Sequence, residues 1–121
     1  MEIFKQLKKL GYKHYVDLTI EELDILPIDN IEKRIEYSLV IDWFRDEHDI
    51  VIEIARQKYF DTYANSYAYE VVCKVYKNKE LEGSVVIRDN KNNHIFYSYE
   101  EAREQAILKA LELILNKTHN E

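Results

Sequence analysis

Residues 98–116 constrain this chain more than any other stretch, because they specify a helix marked at both ends. Ser98 followed by Glu101 is a capping-box pattern, in which each side chain satisfies a backbone N–H that the first helical turn leaves unpaired. Glu100, Glu101 and Glu104 crowd the positive end of the macrodipole, and Lys117 and His119 follow its negative end. Tyr99, Ala102, Ala106, Ala110 and Leu113 recur at steps of three and four, and Ile107 and Ile114 widen that stripe. The alanines predict a close approach to a sheet. Leu108 and Leu115 fall off the stripe, one heptad apart, beside Glu101, Glu104 and Glu112. Two leucines aligned on a side that should be wet are the candidate contacts of a homo-oligomer.

The rest of the chain supplies what this helix covers. Ile3, Phe4, Leu7 and Leu10 have helical spacing and precede Gly11, so a first helix is expected over about 2–10. Thr19 with Glu22 is a second capping box, and Pro27 limits the helix it opens. Asp29 with Glu32 repeats the pattern before a longer helix, running to about Arg45 or Glu47. Its apolar residues, Ile31, Ile35, Leu39, Val40, Ile41, Trp43 and Phe44, begin as a stripe and then nearly encircle it. Period two follows: Ile50, Ile52 and Ile54 form one face of a strand. Tyr67, Tyr69, Val71, Cys73 and Val75 form one face of a second, opposite Glu70, Val72, Lys74 and Tyr76. Val85 and Ile87 mark a third strand. The Asp89–Asn93 turn signal predicts that 94–97 returns as a fourth, in a hairpin with the third.

The fold class is therefore α+β: an antiparallel three- to four-stranded sheet with helices packed on one face. The order is helix–strand–strand–strand–(strand)–helix in one domain, 1–121. Within it, 1–28 reads as a short helical N-terminal addition, 29–116 as the helix–sheet–helix core and 117–121 as a tail. With only two glycines and one proline, the chain has too few breakers for a linker or a solenoid of tight turns. The N-terminus lacks a basic region followed by a long apolar stretch, and no apolar run approaches the ~20 residues that span a bilayer. The expectation is a cytoplasmic protein with no membrane partner.

Few residues carry a chemical signature. Cys73 is the single cysteine, which rules out an internal disulfide, and its place on an inward strand face suits a structural thiol. Asp46-Glu47-His48-Asp49 is the one dense run of ligand-type side chains, but it lacks a turn glycine and a helical partner histidine. It reads as a solvated helix end, so no metal and no cofactor are expected. No glycine-rich phosphate loop or nucleophile elbow exists, which argues against an enzyme. The remaining candidate is a ligand-binding set on the second and third strands. Tyr67, Tyr69 and Tyr76 would stack on a base while Arg56, Arg88 or Lys74 met a phosphate. If Tyr67 and Tyr69 point inward, only Tyr76 serves an outer surface.

Two resemblances bear on function. The helix–strands–helix order ending in Ser98-Tyr99-Glu100-Glu101-Ala102 resembles a double-stranded RNA-binding domain in outline. That family places lysines at the start of its last helix, where this chain has Glu100, Glu101 and Glu104; with a net charge of −6 this argues against nucleic acid as partner. Val40-Ile41-Asp42-Trp43-Phe44-Arg45-Asp46-Glu47-His48, followed by short strands and Ser98-Tyr99-Glu100-Glu101-Ala102 to Leu113-Ile114, is similar to small uncharacterised proteins of bacteriophages and mobile elements, over 36–115. The resemblance brings no catalytic residues. It implies a phage accessory or counter-defence protein in a host bacterial cytoplasm, which sequesters a host protein or a small nucleotide signal. The alternatives are a nucleic-acid-binding domain and a small hydrolase or metal-dependent enzyme.

Overall fold

In a computed structural model the chain runs α1 (Ile3–Lys9), α2 (Ile20–Ile25), α3 (Ile31–His48), β1 (Ile50–Asp61), β2 (Ser66–Lys77), β3 (Glu80–Ile87) and α4 (Tyr99–His119). The structure describes residues 2–61, 66–77, 80–87, 96 and 98–119, and their side chains except those of 57–61, 66–68, 70, 77, 84–87 and 116–119. The fold is α+β: an antiparallel sheet in the order β1-β2-β3, with α3 and α4 against it.

Local chemistry explains the helix ends. Thr19 Oγ1 accepts from the Glu22 N–H and the Glu22 carboxylate accepts from the Thr19 N–H, each at 3.1 Å, completing the expected box. Ser98 Oγ accepts the Glu101 N–H at 3.3 Å at the start of α4. Gly11 follows α1 at φ +100°, a conformation that costs a residue without Cβ little. The cap of α3 departs from expectation by one residue. Asn30, not Asp29, takes the Lys33 N–H at 3.0 Å, because a turn closed from the Asn30 N–H to the Pro27 carbonyl delays the helix. Asp49 ends α3 in the left-handed region at φ 55°, which its short polar side chain tolerates.

Strand register sets the inward face. Ile52 stands opposite Cys73 and Ile54 opposite Val71. Ile50, Ile52, Val71 and Cys73 are buried, and Ile54, Tyr69 and Val75 lie partly buried against the same cluster. Of the expected fourth strand, 94–97, only Phe96 lies among the described residues. Phe96 is bridged to Tyr69 of β2 rather than to β3, through hydrogen bonds of 2.6 and 3.1 Å. Tyr69 lies beyond the last described pair of β2 with β3, Val71 opposite Ile87, and its backbone N–H and C=O need partners. Phe96 supplies them and is itself buried.

The buried arc of α4 keeps most of the expected stripe and adds to it, whereas that of α3 departs from its apolar residues. On α4 the buried set is Ala102, Arg103, Ala106, Ile107, Ala110, Leu111 and Ile114. Leu111 and Arg103 join because the helix touches α3 as well as the sheet, while Tyr99, at the end of the stripe, remains partly open. On α3, Ile31 and Ile35 are exposed, and Lys33, Glu36, Tyr37, Val40 and Phe44 are buried. That arc faces the N-terminal segment. Phe4 stacks on Tyr37 at 5.2 Å with 10° between the rings, and Phe4, Leu7 and Leu23 belong to the same buried cluster as the sheet. Asp24 accepts from the Phe4 and Lys5 N–H groups at 2.7 and 3.2 Å, tying α2 to the start of α1. Residues of the segment 1–28 thus share the buried cluster of the sheet and α3. Among the described residues, no helix is long and apolar enough to cross a membrane.

Candidate functional site

The first two turns of α3 lie beside the first two turns of α4, so two positive helix ends share one region. Three contacts fix this alignment. Arg34 Nε lies 3.5 Å from the Glu100 carboxylate, the Tyr37 hydroxyl donates to Glu104 at 2.9 Å, and Arg103 Nη1 donates to Ser38 Oγ at 3.3 Å.

Arg103 is the unusual member. Its residue is only 4 % exposed, in a place where a helix facing a sheet ordinarily carries an apolar side chain. The guanidinium carbon lies 5.3 Å from the Tyr99 ring centroid and 5.7 Å from that of Tyr37, so part of its lost hydration is replaced by ring quadrupoles. Its Nε and Nη2 have no hydrogen-bond partner. Burial pushes its pKa down and neighbouring Arg34 adds to this, against the opposing pull of Tyr99 and Glu100. A guanidinium stays charged nonetheless. The chain therefore holds a buried cation with unpaired donors, at a point where a second arginine and two helix ends also favour negative charge.

The strand candidates divide around this cradle. Tyr69 belongs to it: its ring meets Tyr99 edge-on at 5.9 Å, and Arg56 stands directly opposite Tyr69 in the register. Lys74 and Tyr76 alternate onto the other face of the sheet, where Lys74 Nζ lies 2.9 Å from the Glu53 carboxylate. Tyr67 pairs through its backbone with Phe60, its side chain lying outside the described residues, as does Arg88 altogether. The six candidates thus do not assemble into one site. Tyr69 has a ring contact with the cradle, and Arg56 neighbours it through the strand register. The missed signal for Arg103 was angular: it lies one turn after Tyr99 and one turn before Ile107, on the buried side of α4.

Other reactive groups have local roles. The Cys73 thiol is buried, lies 3.8 Å from the Ala106 carbonyl oxygen and is pushed up to about 12 by desolvation, which leaves it protonated and a poor nucleophile at neutral pH. Asp46 pairs with Arg45 at 3.0 Å, and the His48 ring meets Trp43 at 4.7 Å. Among the described residues, no three His, Cys, Asp or Glu side chains converge as metal ligands would. Of the oligomer candidates, Leu115 is 42 % exposed, whereas Leu108 lies partly buried against the core. No protein-family model, curated protein or solved structure matches this chain.

Proposed function

We propose that this chain is a non-enzymatic binding protein that takes up a small anionic ligand of nucleotide type in the cradle of Arg34, Tyr37, Tyr69, Tyr99 and Arg103. The observation that carries this reading is Arg103, a nearly buried guanidinium with two nitrogens unpaired. Leaving such donors unmatched costs free energy that a purely structural position would recover with an apolar side chain. A phosphate supplies the missing acceptors, and guanidinium groups match phosphate oxygens in bidentate fashion. Tyr99, 39 % exposed and edge-on to Tyr69, offers the aromatic surface on which a base would stack after its ring turns aside. In the setting expected from the sequence, a protein of a phage or mobile element, the bound ligand would be a host nucleotide signal held out of circulation.

Calorimetric titration of the purified chain with AMP, cyclic nucleotides, inorganic phosphate and a short RNA duplex tests this. Binding of a nucleotide that Arg103→Met abolishes supports it; no binding of any nucleotide by a folded chain overturns it. A second reading, capture of a host protein, draws on Ile31 and Ile35, which are 65 % and 51 % exposed one turn apart on α3.

A further inference from the structure

We infer that Glu100 is a resident counter-ion of the anion site, displaced by the ligand's own charged group, and that it makes the site select phosphate dianions over carboxylates. The inference rests on the nucleotide-binding reading and concerns the same cradle. Glu100 holds two positions at once: one carboxylate oxygen lies 3.5 Å from Arg34 Nε, and the other accepts from the Ser98 hydroxyl at 3.3 Å. It also acts electrostatically on Arg103, and Arg34 and Arg103 repel one another. A single carboxylate therefore serves two guanidinium groups and leaves Arg103 Nε and Nη2 without acceptors.

Its attachment is one that a ligand can replace. The Glu100 side chain is 25 % exposed and that of Arg34 is 50 % exposed, so the pair opens toward solvent without disturbing the buried cluster. The Arg34 contact is long for a charge-assisted hydrogen bond, which is about 2.7–2.9 Å at its best. A ligand carboxylate entering here exchanges one singly charged group for another and gains little. A phosphate monoester brings a second negative charge and further acceptor oxygens, enough to meet Arg34 and, once the Glu100 side chain has swung away, the buried unpaired edge of Arg103. The resident acid thus sets a threshold that weaker anions fail to cross.

The test compares the wild-type chain, Glu100→Gln and Glu100→Asp by calorimetry with AMP, inorganic phosphate and adenosine-5′-carboxylic acid, after thermal melting confirms that each variant folds. Glu100→Gln is expected to tighten AMP about 5–10-fold, since a competing charge is gone while the helix cap can still form. It should improve the carboxylate probe by a larger factor, narrowing the preference for phosphate, and Glu100→Asp should stay close to wild type. AMP tighter than inorganic phosphate identifies a nucleotide rather than the bare ion as the ligand. Wild-type AMP binding with Glu100→Gln within about twofold of it would overturn the counter-ion role alone. Absence of AMP and phosphate binding in folded wild-type and Glu100→Gln chains would remove the binding reading as well.

Discussion

The Tyr12 hydroxyl donates to the carboxylate of Glu36, a side chain with no solvent exposure, across 24 residues of chain. The other Glu36 oxygen accepts the backbone N–H groups of Tyr15 and Val16 at 2.8 and 3.0 Å. One carboxylate therefore organises the loop between α1 and α2 and joins it to α3. Glu36→Leu strands these donors and is expected to cost about 2–4 kcal/mol. Glu36→Gln keeps an acceptor oxygen and should cost about half as much or less. Urea unfolding of the two variants checks this, and equal losses would show that the hydrogen bonds are not what holds the loop.

The same junction predicts that residues 1–28 cannot be trimmed away. Phe4 is buried and stacked on Tyr37, so Phe4→Ala should cost about 3–5 kcal/mol, as full removal of a core ring does. A chain starting at residue 29 should show lost near-ultraviolet dichroism and dye binding to exposed apolar surface. A cooperative melt of the shortened chain near that of the full one would reinstate 29–116 as the self-sufficient unit.

These two results mark where the amino-acid pattern was legible. Both capping bonds, the alternation of Ile50, Ile52 and Ile54, and the inward face of β2 follow from local chemistry, and the structure has them where spacing puts them. What spacing does not carry is tertiary. Glu36 and Arg103 look like surface charges in the sequence, because their burial depends on Tyr12, 24 residues away, and on Tyr37, 66 residues away. Phe96 bridges Tyr69 of β2, a pairing across 27 residues that the local turn signal at 89–93 does not encode. Of the proposed cradle, residue type pointed to Tyr69 in the sequence, whereas Arg34, Tyr37 and Arg103 come together only through the packing of α3 on α4.

Arg103→Met should separate stability from binding. Methionine fills a similar space between Tyr37 and Tyr99 without a charge to desolvate, so the variant is expected to equal the wild type or exceed it by up to about 2 kcal/mol. Nucleotide binding should disappear in the same protein. A large loss of stability would mean that the guanidinium is a structural strut, and the binding role would fall.

Alkali should unfold this chain early. Burial raises the Cys73 thiol to about 12, and it raises the hydroxyls of Tyr12 and Tyr37 too, with Glu36 and Glu104 reinforcing the effect. All three groups are held protonated in the folded state. Their contribution is complete below the unfolded values, about 8.5 for cysteine and 10 for tyrosine, and is lost as pH rises toward the folded ones. The urea midpoint should therefore decline steadily between pH 8.5 and about 12. Cys73→Ala and Tyr37→Phe should each flatten that slope, whatever they do at neutral pH; an unchanged slope in both would place the alkaline weakness elsewhere.

The two off-stripe leucines of α4 now make different predictions. Leu108 lies against the core, so Leu108→Glu buries a charge and is expected to lower the melting temperature whatever the assembly state. Leu115 is 42 % exposed, and Leu115→Glu should change the stability of an isolated chain by no more than surface substitutions do, about 0.5 kcal/mol. If α4 forms a homo-oligomer contact, the wild-type chain sediments above its monomer mass of 14.6 kDa and Leu115→Glu returns it to that mass while still folded. The contrast matters because a charge at Leu108 could split an oligomer merely by unfolding its subunits. Sedimentation of Leu115→Glu lacks that ambiguity, and an oligomer that survives it would move the interface off this side of α4, toward exposed Ile31 and Ile35 on α3.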